Sequence, residues 1–286
     1  MPARSSVALV GPGNLGSALA VALRRAGYRI DEVISRDQPA SRHRARGLAR
    51  RVGARAATFQ TARLRARLVW IAVTDDAIPA AVRLLAQHPA WKQKIALHSS
   101  GALTSDQLRP LRRRGASVAA LHPMMTFVPG TAPSLRGVPF AVEGDRRAVT
   151  AARRIARDLG GFVFPIRKRD KPLYHVYGSF SSPLVVVTLA TAERIARAAG
   201  VPARSVRQAI APIVRQTVEN YLRRGAAAAF SGPVKRGDVG TVRRHLQALA
   251  RVRGAREVYV ALIGGALEVL PSGNKRGIRR LLATIK

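Results

Sequence analysis

The sequence predicts an α/β protein: an N-terminal Rossmann domain with a doubly wound parallel sheet, followed by an all-α C-terminal domain. Three observations support this prediction. Apolar strand-like runs alternate with helical patterns as far as Arg167. A glycine-rich turn follows the first of these runs. Beyond Pro172 the periodicity is almost entirely helical. The change falls in the charged stretch "RKRDKP", so we expect domains at residues 1–168 and 169–286.

The strands of the first domain are predicted from short apolar runs, as expected for strands that are buried on both faces. The predicted strands are residues 7–10, 31–35, 68–74 and 94–98, and the segments "SVAALHP", "PFAVEG" and "FVFPI". The predicted helices between them are residues 14–26 and 42–51, the segment "DDAIPAAVRLLAQ", residues 105–114, and a segment that ends at Leu159.

In the second domain, helical periodicity predicts helices at residues 173–199, 203–224, 239–253 and 256–270. Pro183 is expected to kink the first of them, because proline removes a backbone hydrogen bond. The uncharged run 176–192 has 17 residues, fewer than the ~20 of a membrane span. We therefore expect a buried helix and no membrane segment.

The large positive charge of the chain raises the question of whether the protein binds nucleic acid. Fifty basic and fifteen acidic residues give +35, and arginine supplies 43 of the basic residues. These arginines are spread along the whole chain, without a dense tail or a nucleic-acid motif. We expect non-specific association with anions at low salt and no specific nucleic-acid binding.

Metal binding and secretion are not expected. The chain has no cysteine, which excludes disulfides and thiolate metal sites. Its six histidines include no H-x-x-x-H pair, and carboxylates are scarce. The residues before Gly11 lack the apolar region of a signal peptide, so a cytoplasmic location is expected.

The segment "VALVGPGNLGSALA" contains the spacing G-x-G-x-x-G at Gly11, Gly13 and Gly16. Such glycines allow a tight turn, close approach of a pyrophosphate, and helix–strand packing. The amides of the following helix N-terminus, including those of Asn14 and Leu15, suit phosphate. With a strand before it and a helix after it, the motif predicts a dinucleotide site; a purely structural glycine turn is the alternative.

The second predicted strand ends in Ser35 and Arg36, where an NAD-specific site usually carries an acidic residue. A hydroxyl and a guanidinium suit a 2′-phosphate, so NADP is expected in preference to NAD. Alternatively, Arg36 is one more surface arginine.

Polar residues follow three further predicted strands. Val73, Thr74 and Asp75 end one strand, and Ser99 and His122 end two others. The carboxyl ends of parallel strands form the ligand-binding edge of such sheets, so a cleft is expected here. Alternatively, Asp75 or Asp76 caps the following helix.

The chain resembles bacterial Rossmann-like oxidoreductases that carry a C-terminal domain of unknown function. The resemblance is carried by "VALVGPGNLGSALA", "VWIAVTDDAI", "HSSGAL", "LHPMMTF", "YHVYGSFSS" and "FSGPVKRGD". The family is similar in architecture to pyrroline-5-carboxylate reductase, ketopantoate reductase and deazaflavin-dependent NADP oxidoreductases. The resemblance implies an NAD(P) domain and a helical domain that forms a homodimer. It also implies a polar group near Ser182, although members commonly read Ser-Asn where this chain has Ser182-Pro183.

Candidate catalytic residues are His122, Lys171 and His175. His122 is a candidate general acid toward a carbonyl or imine, and Lys171 and His175 share a helix face at i, i+4. Structural roles are the alternative for each.

The loop "SGPVKRGD" offers Gly232 and Arg236 to an anionic substrate, and Asp238 is expected to cap the next helix. The sequence thus predicts an NADP-dependent oxidoreductase acting on a small molecule in a cleft between the domains. A non-catalytic NADP sensor and a nucleic-acid-associated protein are the alternatives.

Overall fold

The computed structural model describes residues 5–89, 91–131 and 133–284. The chain divides into two compact units, Met1–Phe180 and Ser181–Lys286. This division lies later than the expected boundary at residue 168, because the helix that begins at Lys171 belongs mainly to the first unit. Lys171 and Tyr174 of that helix are buried.

The first unit is built on one eight-stranded sheet in the order β3-β2-β1-β4-β5-β6-β7-β8. The strands are β1 (Val7–Val10), β2 (Ile30–Ser35), β3 (Arg55–Thr58), β4 (Leu68–Ile71), β5 (Ile95–His98), β6 (Ser117–Pro123), β7 (Pro139–Gly144) and β8 (Phe162–Pro165). All neighbouring pairs are parallel except β6 and β7, which are antiparallel. The predicted mostly parallel Rossmann sheet is confirmed.

Helices cover both faces of this sheet. They are α1 (Asn14–Arg25), α2 (Pro39–Val52), α3 (Ile78–Ala86), α4 (Arg109–Arg113) and α5 (Arg146–Asp158). Alternate residues of β1 enter different cores: Leu9 packs in the core that contains Trp70 and Phe140, whereas Ala8 packs in the core that contains Trp91. A strand buried on both faces explains the continuous apolar runs that predicted the sheet.

The second unit is helical. Its helices are α7 (Pro183–Ala198), α8 (Val206–Ala229), α9 (Pro233–Arg236), α10 (Val239–Leu249), α11 (Ala255–Val269) and α12 (Lys275–Ala283), preceded by α6 (Lys171–Ser181). The core lies between α10, α11 and α12 and includes Val242, Ile263 and Ile278. Helix α8 is interrupted at Gly225, whose φ is +74°.

The predicted kink at Pro183 is a complete break. Ser182 has φ −139° and ψ −80°, so α6 ends before it and α7 begins at Pro183. Proline is well tolerated at the first position of a helix, because that position needs no backbone donor.

The expectation that the uncharged run 176–192 is a buried helix is wrong for the single chain. Helix α7 has no buried residue, and Val186 is 63% exposed. It packs on α8 and α11 but leaves these apolar side chains uncovered. By length and composition alone, the segment Lys168–Ala198 is long and apolar enough to cross a membrane. One such segment is weak support for a membrane span, and the break at Ser182 divides it.

Candidate functional site

The three glycines of the first β–α turn have the three roles expected of a dinucleotide-binding turn. Gly11 has φ +99°, and a Cβ there would lie 2.6 Å from the carbonyl oxygen of Ala72. A Cβ on Gly16 would overlap the carbonyl oxygen of Gly11. A Cβ on Gly13 would have no other atom within 4 Å, so this glycine faces open space. Gly11 and Gly16 are thus required by packing, whereas Gly13 leaves room for a ligand.

Helix α1 begins directly after this turn. Its N-cap is Gly13, and no side chain caps its first-turn amides. Free amides and the positive end of the helix dipole therefore face the open space beside Gly13. The Asn14 side-chain amide donates to the carbonyl oxygen of Phe127 (3.3 Å), which attaches the loop after β6 to this corner.

A cavity of about 630 Å³ opens at the glycine corner. Its walls include most of the residues predicted to bind a cofactor, namely Gly11, Gly13, Asn14, Leu15, Ser35, Arg36, Val73 and Thr74. Sequence reasoning missed Ser41, Arg44 and Phe59, which also line it. The volume is in the range of small-molecule and cofactor sites.

Two guanidinium groups, Arg36 after β2 and Arg44 on α2, line this cavity next to Ser35. Asp37 is not among the lining residues and pairs with Arg42 at 3.0 Å. Asp76 does line the cavity; its pKa is lowered by a hydrogen bond with Thr74 and, among weaker causes, by the charge of Arg36. This end of the cavity is therefore basic, with one exposed carboxylate at its wall.

A polar network joins the cavity wall to the ends of the neighbouring strands. Asp75, next to Thr74, accepts a hydrogen bond from the Ser100 hydroxyl (2.7 Å). The carbonyl oxygen of Ser100 accepts from Lys171 Nζ (3.0 Å). Asp75 is thus directed toward the loop after β5 and does not line the cavity, whereas its neighbours Thr74 and Asp76 do.

Lys171 is fully buried, with 0% of its side chain exposed. Its Nζ lies 4.0 Å from Glu143 Oε1, and Glu143 also accepts hydrogen bonds from the Ser105 amide (2.6 Å) and hydroxyl (2.7 Å). Burial lowers the pKa of Lys171, and the charges of Glu143 and Asp75 oppose this shift. The ammonium group of Lys171, a candidate catalytic group, is thus buried and holds the loop after β5 through the Ser100 carbonyl oxygen.

His98 is held in one tautomer by the same loop. Its Nδ1 accepts from the Ser100 amide (3.1 Å), so Nε2 carries the proton that is donated to the Thr104 carbonyl oxygen (3.0 Å). Burial, and secondarily the charge of Lys171, lowers its pKa to about 4. His98 is therefore a neutral structural residue at neutral pH.

His122 and His175 both lie against Gly101. A Cβ on Gly101 would come within 2.8 Å of His175 Cδ2 and 3.0 Å of His122 Nε2. The His122 and His175 rings are 6.3 Å apart, and His122 Nδ1 lies 2.8 Å from the Tyr174 hydroxyl. The structure thus brings two of the three predicted catalytic residues together, and only a glycine fits between them.

Comparison with known proteins agrees with this architecture. Residues 1–123 match the Rossmann-like domain, and residues 138–264 match DUF2520, a domain of unknown function. The chain thus carries a Rossmann-like domain followed by a DUF2520 domain. No curated protein sequence matches this chain at a significant level.

Several solved structures share the fold. A candidate NADP oxidoreductase of Bacteroides fragilis is 22% identical, with a TM-score of 0.77 over 92% of this chain and 97% of its own. An imine reductase of Myxococcus stipitatus in complex with NADP⁺ is 18% identical, with a TM-score of 0.68 over 97% and 99% of the two chains. A reductive aminase of Aspergillus terreus with NADPH and ethyl levulinate is 18% identical, with a TM-score of 0.64 over 99% and 100%. At these identities the likeness establishes the fold alone.

Three predicted substrate-binding residues of the DUF2520 protein belong to the second unit. Ser182 lies at the break between α6 and α7, Gly232 precedes α9 with φ +92°, and Arg236 ends α9 with an exposed side chain. The expected cap is confirmed: Asp238 accepts from the Thr241 amide (2.9 Å) at the start of α10. The fourth predicted residue, Ser99, lies in the first unit, where its buried hydroxyl accepts from the Trp70 indole (2.8 Å).

Among the described residues, no group of three side chains suitable for a metal ion is found.

The stability of the DUF2520 protein is expected to fall below pH 6.5. Burial, followed by the charge of Lys171, lowers the pKa of both His98 and His122 from 6.5 to about 4. The unfolded chain therefore takes up protons first, and stability present above pH 6.5 is lost as the pH falls toward about 4. Between pH 6.5 and about pH 5 the two groups together correspond to about 3 kcal/mol. Urea unfolding at these two pH values measures the loss, and a difference below about 1 kcal/mol would contradict it.

Proposed function

We propose that this protein is an NADP-dependent oxidoreductase that transfers hydride between a nicotinamide cofactor and a small carbonyl or imine compound. The observation that carries the proposal is the glycine corner, where Gly13 and uncapped amides of α1 face a cavity of about 630 Å³. Next to the cavity wall, Asp75 accepts a hydrogen bond from Ser100, and the following residue, Gly101, lies against His122 and His175. A coenzyme site joined to a cluster of polar side chains favours catalysis over simple nucleotide sensing.

The residues that would hold the cofactor follow from the cavity. Amides at Gly13, Asn14 and Leu15 would bind the pyrophosphate, and Gly11 and Gly16 would shape the turn. Val73 and Thr74 would form the opposite wall. When bound, the cofactor supplies or accepts a hydride, and the protein orients the substrate and stabilises charge. We include Ser182, Gly232 and Arg236 in the proposal as substrate-binding residues.

Preference for NADP over NAD is supported by the basic end of the cavity. Arg36 and Arg44 line it together with Ser35, and Asp37 pairs with Arg42. Guanidinium groups bind phosphate in a bidentate manner. The similar imine reductase and reductive aminase structures are complexes with NADP⁺ and NADPH, respectively.

An Arg36→Ala variant is expected to bind NADPH about tenfold more weakly, because one charge-assisted contact to the 2′-phosphate is lost. Its affinity for NADH should change less than about threefold, because NADH has no 2′-phosphate for Arg36 to contact. Calorimetric titration with each nucleotide measures both. Arg46→Ala is the matched control, since Arg46 is exposed on the same helix as Arg44 but does not line the cavity. Equal losses for both nucleotides would contradict the assignment of Arg36.

Turnover tests the proposed activity. Purified protein is mixed with NADPH and a panel of keto acids, ketones and cyclic imines, and the absorbance of NADPH is followed. Oxidation with at least one panel member, abolished by a glycine-corner variant, would support the proposal. Nucleotide binding without turnover across the panel would instead favour a non-catalytic NADP sensor.

We also propose that this protein acts as a homodimer in the cytoplasm. The support is the uncovered apolar surface of the second unit, where Val186 on α7 is 63% and Leu222 on α8 is 72% exposed. Exposed apolar surface of this kind marks an interaction site. Light scattering after gel filtration should give twice the mass of the 30.8 kDa chain. A monomer at micromolar concentration would overturn this part of the proposal.

A further inference from the structure

Tyr174 gives His122 a fixed orientation. Its hydroxyl lies 2.8 Å from His122 Nδ1, and the two rings meet edge to face with centroids 5.5 Å apart. Tyr174 is itself 8% exposed and packs edge to face against Phe164. The other ring nitrogen, Nε2, has no hydrogen-bond partner among the described residues and lies beside Gly101, which has no side chain to cover it. One nitrogen of His122 is therefore occupied by protein and the other is available.

The direction of the Tyr174 hydrogen bond sets the tautomer of His122. Burial raises the pKa of Tyr174 to about 12, and burial together with Lys171 lowers the pKa of His122 to about 4. Both groups are therefore neutral near pH 7. A phenol is the better donor of the two and an imidazole nitrogen the better acceptor, so the hydroxyl donates to Nδ1. The ring proton is then on Nε2, directed toward Gly101.

The ammonium group of Lys171 lies near His122, and the carboxylates of Glu143 and Asp75 oppose its charge. The proton on Nε2 therefore narrows the substrate more than the surrounding charge does. An N–H donor requires an acceptor atom with a free lone pair, which a carbonyl oxygen has and an iminium nitrogen lacks.

We propose that Tyr174 is a positioning residue that presents His122 as a neutral N–H donor. The N–H group of His122 then donates to the oxygen of a neutral carbonyl substrate and not to an iminium ion. The inference rests on the proposed function and narrows its substrate class. In the balanced reaction the carbonyl carbon gains a hydride from NADPH, the oxygen gains one proton from water, and NADP⁺ is left. His122 donates a hydrogen bond to the carbonyl oxygen while negative charge develops on that oxygen.

The tautomer is tested without any substrate. Nitrogen-15 NMR of the nucleotide-free protein, with His122 assigned by comparison with His122→Asn, should show Nδ1 unprotonated and Nε2 protonated at pH 7. In Tyr174→Phe the two nitrogens should move toward a mixture of both tautomers. Tyr221→Phe, which removes an exposed hydroxyl on α8, should leave the His122 signals unchanged. A protonated Nδ1 in the unsubstituted protein would overturn the inference.

The substrate class is tested with two probes. One is a ketone from the panel. The other is a permanently charged N-methyl-3,4-dihydroisoquinolinium ion, whose reduction needs a hydride but no hydrogen-bond donor. We expect reduction of the ketone only, with kcat about tenfold lower in Tyr174→Phe and an unchanged KM for NADPH. Faster reduction of the iminium ion, unaffected by substitution of His122, would overturn the inference. If neither probe nor any other panel compound is reduced, the proposed function is contradicted, and the NMR result alone decides the role of Tyr174.

Discussion

A Gly13→Ala variant is expected to bind NADPH about 100-fold more weakly than the unsubstituted protein, at nearly unchanged stability. Gly13 has an extended backbone that any residue can adopt, and an added methyl group would meet nothing within 4 Å. The methyl group would occupy the space that the pyrophosphate needs, and a 100-fold loss corresponds to about 2.7 kcal/mol. Nucleotide titration and thermal unfolding measure the two quantities.

Two variants make this result specific. Gly47→Ala adds the same methyl group at an exposed position of α2 with open space around it, so NADPH affinity should be unchanged. Gly16→Ala would overlap the Gly11 carbonyl oxygen and should lower stability even without nucleotide. If Gly13→Ala binds NADPH as tightly as Gly47→Ala, the pyrophosphate does not lie at this corner.

Replacement of Lys171 by methionine is expected to destabilise the first unit by about 3–5 kcal/mol. Methionine has a similar length and fits a buried, unbranched space. The change removes the donor to the Ser100 carbonyl oxygen and leaves the buried Glu143 carboxylate without its only nearby ammonium group among the described residues. An uncompensated buried charge is far more costly than the loss of a surface ion pair. Urea unfolding measures the loss.

The double variant Lys171→Met, Glu143→Gln tests the cause. Because both charges are then removed, most of the lost stability should return, while Ser105 can still bond to the amide at position 143. The Lys171→Met change should also raise the pKa of His122, since the charge of Lys171 contributes to its lowering. If the free energy of unfolding of Lys171→Met lies within about 1 kcal/mol of that of the unsubstituted protein, the buried pair contributes little to stability.

The parts of the fold with strong local signals could be predicted from the sequence. The apolar runs of β1 and β4 require burial on both faces, and the spacing of Gly11, Gly13 and Gly16 has few other uses. Strand β3 was missed because "RAAT" buries only one of its four residues and therefore lacks a strand pattern. The antiparallel pairing of β6 and β7 was also missed, since strand direction depends on the path of the connecting loop.

The site was predicted less completely, because its contacts are made between distant segments. Ser99 and Ser100 are neighbours, yet the hydroxyl of one bonds to Trp70 in the core and that of the other to Asp75. Nothing local distinguishes them. Lys171 was a candidate catalytic residue, but its ammonium group is buried and contacts Ser100 and Glu143, both more than 25 residues away in the sequence. One signal was available: Glu143 is a lone carboxylate in the apolar segment "PFAVEG", and such a residue requires a buried partner.

The central claim is that the first β–α corner binds the diphosphate of a nicotinamide dinucleotide. Calorimetric titration of the purified protein with NADPH, repeated with NADH, tests it most directly. The account predicts saturable binding of one nucleotide per chain, with NADPH bound more tightly than NADH and binding weakened about 100-fold by Gly13→Ala. No heat of binding with either nucleotide at millimolar concentration would contradict it.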